Sequence, residues 1–284
     1  MKLSTTISLL VTAFPLTNTQ STGGSGPYPA TYFADPTLQT HTIYMPTNPT
    51  PSTPLPILIW GNGACVNNGT RFANLLTNIA SYGFIAIASG PPADGTGTTD
   101  SQMMRDAITW ITTKSLTPTT NNSNTDSNSK YTTVDPTRIA VAGQSCGGLE
   151  AYQLRNDERV LHLGIFNSGF FDFSFLPGFE SPEVIAEVDK PVFYFLGGES
   201  DIAYENGMRD YAALRNVPKW VGNYPVGHLG TYAEVDGGVF GAAAVKWLQW
   251  VLKGDQDAAG FFLDGGAEKA GWEETDSEGL EGLV

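Results

Sequence analysis

Residues 138–152, Arg-Ile-Ala-Val-Ala-Gly-Gln-Ser-Cys-Gly-Gly-Leu-Glu-Ala-Tyr, contain the pattern that decides the fold. An apolar run ends at Ala142, the motif G-x-S-x-G follows at 143–147, and the next residues are compatible with a helix. The motif alone is weak in a chain with 32 glycines, so its position between a strand and a helix carries the argument. A strained turn of this kind holds a serine hydroxyl out at the carboxyl end of a strand. Ser145 is therefore the candidate nucleophile.

Strands and helices alternate on either side of this motif. Five more apolar runs predict strands, at residues 55–60, 84–88, 161–166, 192–196 and 220–224. Apolar residues at helical spacing predict helices near residues 72–79, 104–111 and 244–252. This alternation predicts an α/β domain with a mostly parallel central sheet and helices on both faces.

The composition and the N-terminus indicate the class of protein. The 284 residues include 15 Lys and Arg against 29 Asp and Glu, and this net charge of -14 argues against nucleic acid as a partner. Lys2 and the apolar stretch 7–14 predict a secretory signal over residues 1–20, and hence a secreted, extracellular protein. No later stretch approaches the ~18 apolar residues needed for a membrane span. Sequons at Asn68 and Asn121 are compatible with glycosylation.

The remaining chain divides into one domain and a short acidic segment. We predict one α/β domain over residues 21–254, with the polar loop 117–130 as a mobile surface insertion that has no catalytic role. Residues 255–284 contain nine acids against Lys269 alone, which predicts a loosely docked acidic tail. Three aromatic residues are candidates to anchor parts of that tail, namely Phe261, Phe262 and Trp272.

A serine nucleophile needs a base, and the chain has three histidines. His41 precedes the nucleophile in a strand-like segment, and His162 lies between two leucines, where a packed histidine is expected. His228 lies in a glycine-flanked loop just after the last strand predicted for the domain, where its ring can reach over the sheet edge towards Ser145. His228 is therefore the candidate base.

The base in turn needs a carboxylate that orients its ring and stabilises the imidazolium. Asp201 fits best, because it follows a predicted strand through a short loop and lies between the serine and the histidine in the chain. Asp172 is the alternative, since it follows the preceding strand. Glu199 and Glu205 are interpreted as solvated neighbours.

The tetrahedral intermediate of acyl transfer also requires hydrogen-bond donors for its oxyanion. The expected donors are the amide of Cys146, just after the nucleophile, and that of Asn62, in the glycine-rich turn after the strand at 55–60. Aromatic and aliphatic residues near the site, with Phe170 and Ile202 as the main candidates, are expected to form an apolar wall for the acyl group.

With these residues in place, the sequence resembles the α/β-hydrolase superfamily over roughly residues 30–254, through the motif at 143–147 followed by Asp201 and His228. It is similar, more loosely, to lidless cutinase-like esterases and polyester hydrolases, and more distantly to dienelactone hydrolases, whose nucleophile is Cys where this chain has Ser145. The resemblance implies an α/β-hydrolase fold. Only about twenty residues separate two successive strands after the motif, so no large lid is expected.

We therefore expect a secreted serine esterase that cleaves small or polymeric esters through an acyl-enzyme, as a monomer and without metal or cofactor. A peptidase or amidase could use the same residues. A catalytically silent secreted binding protein of the same fold is the alternative from another class.

Cys65 and Cys146 are the only two cysteines, and in an exported protein they are expected to be bonded. In the fold that the chain resembles, the two loops that carry them face each other across the reacting carbonyl. We therefore predict a disulfide between them. The alternative is a pair of buried thiols.

Overall fold

One nine-stranded sheet runs through the protein in the computed structural model, which describes residues 23–47, 53–117, 129–171 and 180–283. The strands are β1 (Ala30–Asp35), β2 (Leu38–Pro46), β3 (Leu55–Gly61), β4 (Ile85–Ser89), β5 (Val134–Gln144), β6 (Val160–Phe166), β7 (Val192–Leu196), β8 (Lys219–Asn223) and β9 (Glu273–Glu278). Their spatial order is β1-β2-β4-β3-β5-β6-β7-β8-β9. The neighbours from β4 to β8 pair in parallel, and the pairs β1-β2, β2-β4 and β8-β9 are antiparallel.

Seven α-helices accompany the sheet in the described residues. They are α1 (Ala73–Ser81), α2 (Ser101–Leu116), α3 (Cys146–Tyr152), α4 (Tyr204–Ala213), α5 (Gly238–Lys253), α6 (Gln256–Leu263) and α7 (Gly266–Lys269). The predicted α/β class, with a mostly parallel sheet, is confirmed. The sequence patterns did not predict α4, α6, α7, β1 or β9.

The sheet is apolar on both faces, which explains the continuous apolar runs in its central strands. In β3, Leu58 and Trp60 belong to a buried cluster with residues of α1, α5 and α6. Ile57 and Ile59, which point the other way, belong to a second buried cluster with residues of α2, α3 and α4. Helices therefore cover both faces, as predicted.

The C-terminal segment is part of the fold, so the prediction of a loosely docked tail is wrong for residues 255–283. Strand β9 pairs antiparallel with β8, for example Trp220 with Ser277. Trp272 is 2% exposed and Phe262 is buried in the same cluster as α5. The acidic composition predicted a loose tail, but acidic side chains are also compatible with an edge strand. The side chains of β9, Glu-Glu-Thr-Asp-Ser-Glu, are almost all exposed to solvent. The apolar anchors precede it in the sequence.

Several sequence predictions lie outside the described residues. They concern the signal segment 1–20, the polar loop around Asn121 and the alternative acid Asp172. None of the helices within the described residues is long and apolar enough to cross a membrane.

We predict that Trp272→Ala lowers the free energy of unfolding by roughly 3–5 kcal/mol, because it removes a fully buried indole from the core. Glu281→Ala, at an exposed position of the same segment, is the matched control and is expected to change it by less than about 0.5 kcal/mol. Denaturant titration of both variants checks this. Equal midpoints for Trp272→Ala and wild type would contradict the packing described here.

Candidate active site

Ser145 lies in the sharp turn between β5 and α3. Its φ of 53° and ψ of -115° are unfavourable for a residue with a side chain, and such strain is typical of functional positions. Two hydrogen bonds fix the turn: the Ser145 amide donates to the Phe166 carbonyl at 3.0 Å, and the Ser168 hydroxyl donates to the Ser145 carbonyl at 2.6 Å. The strained backbone holds the Ser145 hydroxyl in the solvent-accessible cleft.

The two motif glycines allow three backbone segments to meet at this turn. A Cβ on Gly143 would lie 2.3 Å from the carbonyl carbon of Gly147. A Cβ on Gly147 would lie 2.1 Å from the carbonyl carbon of Gly61, at the end of β3. Side chains at these positions would force the elbow away from the turn after β3.

The structure brings together the three residues predicted as nucleophile, base and acid. His228, in the loop after β8, has its Nε2 2.9 Å from the Ser145 Oγ. Asp201 is in the loop after β7, and its Oδ1 lies 2.6 Å from the His228 Nδ1. These contacts form a continuous Ser–His–Asp hydrogen-bonded chain at the carboxyl edge of the parallel strands.

Asp201 is a buried carboxylate that its surroundings keep ionised. Its Oδ2 accepts hydrogen bonds from the Asn167 side chain at 2.8 Å and the Gly197 amide at 3.0 Å, and its Oδ1 accepts one from the Ala203 amide at 2.9 Å. Burial alone would raise the pKa of Asp201, but hydrogen bonds from His228, Ala203 and Asn167 outweigh it and hold the pKa below its ordinary value. Asp201 can therefore stabilise a protonated His228.

Sequence reasoning did not find Asn167, which supports this acid. Asn167 directly follows β6, is completely buried, and also accepts a hydrogen bond from the Tyr232 hydroxyl. Its φ of 43° is in the left-handed region, which asparagine tolerates better than most residues. The sequence signal that could have identified Asn167 is its position, because it is a polar residue directly after a buried apolar run.

The other two histidines lie away from the triad. His41 is buried in β2 and its Nε2 lies 2.9 Å from the Met103 carbonyl oxygen. His162 is buried in β6, where burial lowers its pKa to about 4. Glu199 and Glu205 are exposed, in agreement with their interpretation as solvated neighbours.

The turn after β3 is built around the Asn62 side chain. Its Nδ2 donates to three carbonyl oxygens, those of Val66, Asn68 and Ser89, at 2.6–3.0 Å. Asn62 is completely buried and its side chain supports the turn, whereas the role of its backbone amide as an oxyanion donor stays a prediction. The second predicted donor, the amide of Cys146, is at the first position of α3, where no carbonyl of the same helix can accept its hydrogen bond.

A disulfide joins Cys65 and Cys146, with the Cα atoms 5.3 Å apart, and confirms the predicted pairing. It connects the short turn after Asn62 to the first residue of α3. Glu150 lies close by, and its carboxylate and the two sulfurs form the group of potential metal ligands found among the described residues. The sulfurs are bonded to each other, so this group is not a free ligand set.

Glu150 is a second functional candidate that sequence reasoning missed. It is fully buried in α3, and its Oε1 accepts a hydrogen bond from the Thr99 hydroxyl at 2.8 Å. Its Oε2 has no hydrogen-bond partner among the described residues and faces Gly61, where an added Cβ would lie 2.8 Å away. Burial raises the pKa of Glu150 to about 7, with the nearby Asp100 adding to the effect.

A cleft of about 450 Å³ opens at the triad. It is lined by Gly63, Ala64, Val66, Arg71, Phe72, Gln144, Ser145, Ile202, His228, Leu229, Tyr232 and Ala233. Ile202 lines it as predicted and is 73% exposed. Phe170 does not line the cleft, so the prediction that it contacts the acyl group is wrong. Its ring is buried in the core and stacks on Tyr152, with the ring centroids 4.3 Å apart. Apolar character alone does not separate a core phenylalanine from a cleft residue.

The sequon residue Asn68 lies beside this region. Its side chain is half-buried, with Nδ2 donating to the Asp94 carboxylate at 2.7 Å and Oδ1 accepting from the Thr70 hydroxyl. Glycosylation at Asn68 remains a prediction.

Comparison with known proteins identifies no relative: no family model matches the chain, and no curated protein matches its sequence significantly.

We predict that Cys65→Ala combined with Cys146→Ala lowers the free energy of unfolding by roughly 4–5 kcal/mol, from the entropy of closing an 81-residue loop. Cys65→Ala alone removes the same cross-link and is expected to lose a similar amount. Denaturant titration measures both. A double variant within about 1 kcal/mol of wild type would contradict the expected role of the bond.

Glu150→Gln is expected to change how stability depends on pH. Because the folded-state pKa is raised to about 7, Glu150 destabilises the fold increasingly as the pH rises from about 4.5 to about 7, by about 3 kcal/mol at most. Glu150→Gln should therefore gain stability relative to wild type across this range. Unfolding measured at several pH values, with the exposed Glu158→Gln as control, checks this. Parallel curves for Glu150→Gln and wild type would contradict it.

Proposed function

We propose that the protein is a serine hydrolase that cleaves carboxylic esters through an acyl-enzyme. The observation that carries this proposal is the pair of contacts made by His228, at 2.9 Å to the Ser145 Oγ and 2.6 Å to the Asp201 Oδ1. Nucleophilic catalysis by serine requires an exposed hydroxyl, a base within hydrogen-bond reach of it, and an acid bonded to the other ring nitrogen of that base. Ser145, His228 and Asp201 have these positions.

In the first half of the proposed reaction, the Ser145 Oγ attacks the ester carbonyl carbon while the His228 Nε2 takes the hydroxyl proton. The carbonyl oxygen becomes an oxyanion that accepts hydrogen bonds from the amides of Cys146 and Asn62. The carbon–oxygen bond to the alcohol then breaks, and His228 gives its proton to the leaving alkoxide. Asp201 keeps the histidine ring oriented and stabilises its positive charge.

The second half repeats these steps with water. His228 removes a proton from a water molecule, which attacks the acyl carbon and forms a second oxyanion. The bond to Ser145 then breaks, the Oγ recovers its proton from His228, and the carboxylic acid leaves. With water as the second reactant, every proton transfer in this scheme uses a group that the chain itself supplies.

The sheet topology supports assignment to the α/β-hydrolase fold. The candidate nucleophile follows β5, the acid follows β7 and the histidine follows β8, so all three lie at one edge of the parallel strands. In α/β-hydrolases the residues occur in the same chain order, and the second oxyanion donor comes from the loop after the third strand. Here that loop is the turn at 61–65, joined to α3 by the disulfide.

Export from the cell is part of the proposal. The disulfide is consistent with an oxidising compartment, where such bonds persist. N-terminal sequencing of the secreted product would test the signal predicted at residues 1–20.

Hydrolysis of p-nitrophenyl esters by the wild type and its variants tests the triad. Ser145→Ala and His228→Ala are each expected to lower kcat by roughly 10^4- to 10^6-fold, and Asp201→Asn by about 10^4-fold, because each removes part of the same unit. Glu205→Gln, an exposed acid on the adjoining helix, and Asp172→Asn are the matched controls and should remain near wild type. Near-normal kcat in His228→Ala, or a severe loss in Asp172→Asn with a mild one in Asp201→Asn, would overturn the assignment.

A further inference from the structure

The cleft at the triad differs in charge from the rest of the protein. The chain has 29 acidic residues against 15 basic ones, yet no acidic side chain is among the described residues that line the cleft. The permanently charged group on its wall is the guanidinium of Arg71, in the turn that leads into α1. The described part of the lining is thus locally positive on a strongly negative molecule.

Among the polar side chains of this lining, that of Arg71 makes no hydrogen bond to another group in the described residues. The Gln144 Nε2 donates to the His228 carbonyl at 3.0 Å, and the Tyr232 hydroxyl donates to Asn167. The side chains of Ser145 and His228 are hydrogen-bonded to each other. The Arg71 guanidinium makes no hydrogen bond or ion pair with the described part of the chain, and the residue is exposed.

Glu234, an acidic residue next to the lining in the chain, forms no ion pair with Arg71 among the described contacts. Glu234 follows the lining residue Ala233, but its carboxylate lies over Gly238 at the start of α5, where an added Cβ would be 2.6 Å from its Oε2. The guanidinium therefore remains available to an anion that enters the cleft.

The other residues of the cleft lining are mostly apolar. Ile202 and Leu229 are 73% and 75% exposed at the cleft, and Val66 is on the same lining. An aliphatic chain fits such a surface because it buries area that otherwise contacts water. A single cation at an apolar wall matches a molecule that is mostly apolar and carries one anionic group.

From these observations we propose that the cleft selects esters that carry a carboxylate, with Arg71 as the residue that binds it. This inference rests on the proposed esterase function and specifies its substrate class. The planar guanidinium offers two parallel N–H donors that match the two oxygens of a carboxylate. Half-esters of dicarboxylic acids and esters of hydroxy acids have this chemistry, which includes the acidic ends of polyester chains.

The test compares pairs of esters that differ by one carboxylate group. Mono-p-nitrophenyl adipate is paired with p-nitrophenyl hexanoate, so that the carboxylate is on the acyl side. The other pair is p-(butanoyloxy)benzoate with phenyl butanoate, so that it is on the alcohol side. The ratio of kcat/KM for the anionic and the neutral ester is measured for wild type, Arg71→Ala, Arg71→Lys and Arg71→Glu.

In at least one pair, the ratio is expected to fall roughly five- to tenfold in Arg71→Ala, which is typical for loss of one charge-assisted contact at an accessible site. It should fall less in Arg71→Lys and further in Arg71→Glu. Added sodium chloride should lower the wild-type ratio, because ions screen an accessible charge pair.

Lys246→Ala is the matched control, since it removes one exposed positive charge on α5 outside the cleft. Its ratio should equal that of wild type. An unchanged ratio in Arg71→Ala for both pairs, or an equal fall in Lys246→Ala, would overturn the inference while the esterase activity stands. If wild type hydrolyses none of the four esters, the proposed function itself fails.

Discussion

The turn after β3 and the first turn of α3 meet backbone to backbone, and the rest of the site depends on this contact. Gly147 approaches Gly61 so closely that a single methyl group between them would collide with the main chain. The contact places the Cys146 amide opposite the turn that holds Asn62 and brings Cys65 within bonding distance of Cys146. Two glycines make this arrangement possible. It is supported by the disulfide, by the hydrogen bonds that the Asn62 side chain donates to backbone carbonyls, and by the buried Glu150.

The residues of the triad could be predicted because parallel strands impose a simple rule. Each of Ser145, Asp201 and His228 is in a loop just after a buried apolar run, and the carboxyl ends of parallel strands lie at one edge of the sheet. Sequence spacing therefore gives spatial proximity without any knowledge of side-chain contacts. The same rule places Asn167 at that edge, although its role becomes visible only once its bond to Asp201 is seen.

Other features depend on contacts that leave no periodic signal in the sequence. Phe170 and Ile202 are both apolar and both follow strands, but one is in the core and the other is exposed at the cleft. Glu150 is one acid on a short helix, and only its burial beside Gly61 sets it apart. The acidic C-terminal segment has a clear signal in the sequence, its charge, but that signal predicts a loose tail. The acidic residues instead belong to an edge strand that pairs with β8 and is attached to the core through Trp272.

The charge of β9 has a consequence for association between molecules. An unpaired sheet edge is a template on which a strand of another molecule can add. Four of the six residues of β9 are acidic, and its pairing with β8 is irregular between Val221 and Asn223, so the outer edge is both negative and distorted. A second copy that approached with the same edge would meet like charges along the whole strand. Acidification weakens this repulsion as the carboxylates become protonated, so edge-to-edge aggregation should increase as the pH falls towards the pI of about 4.5, where the net charge that keeps the molecules apart is smallest.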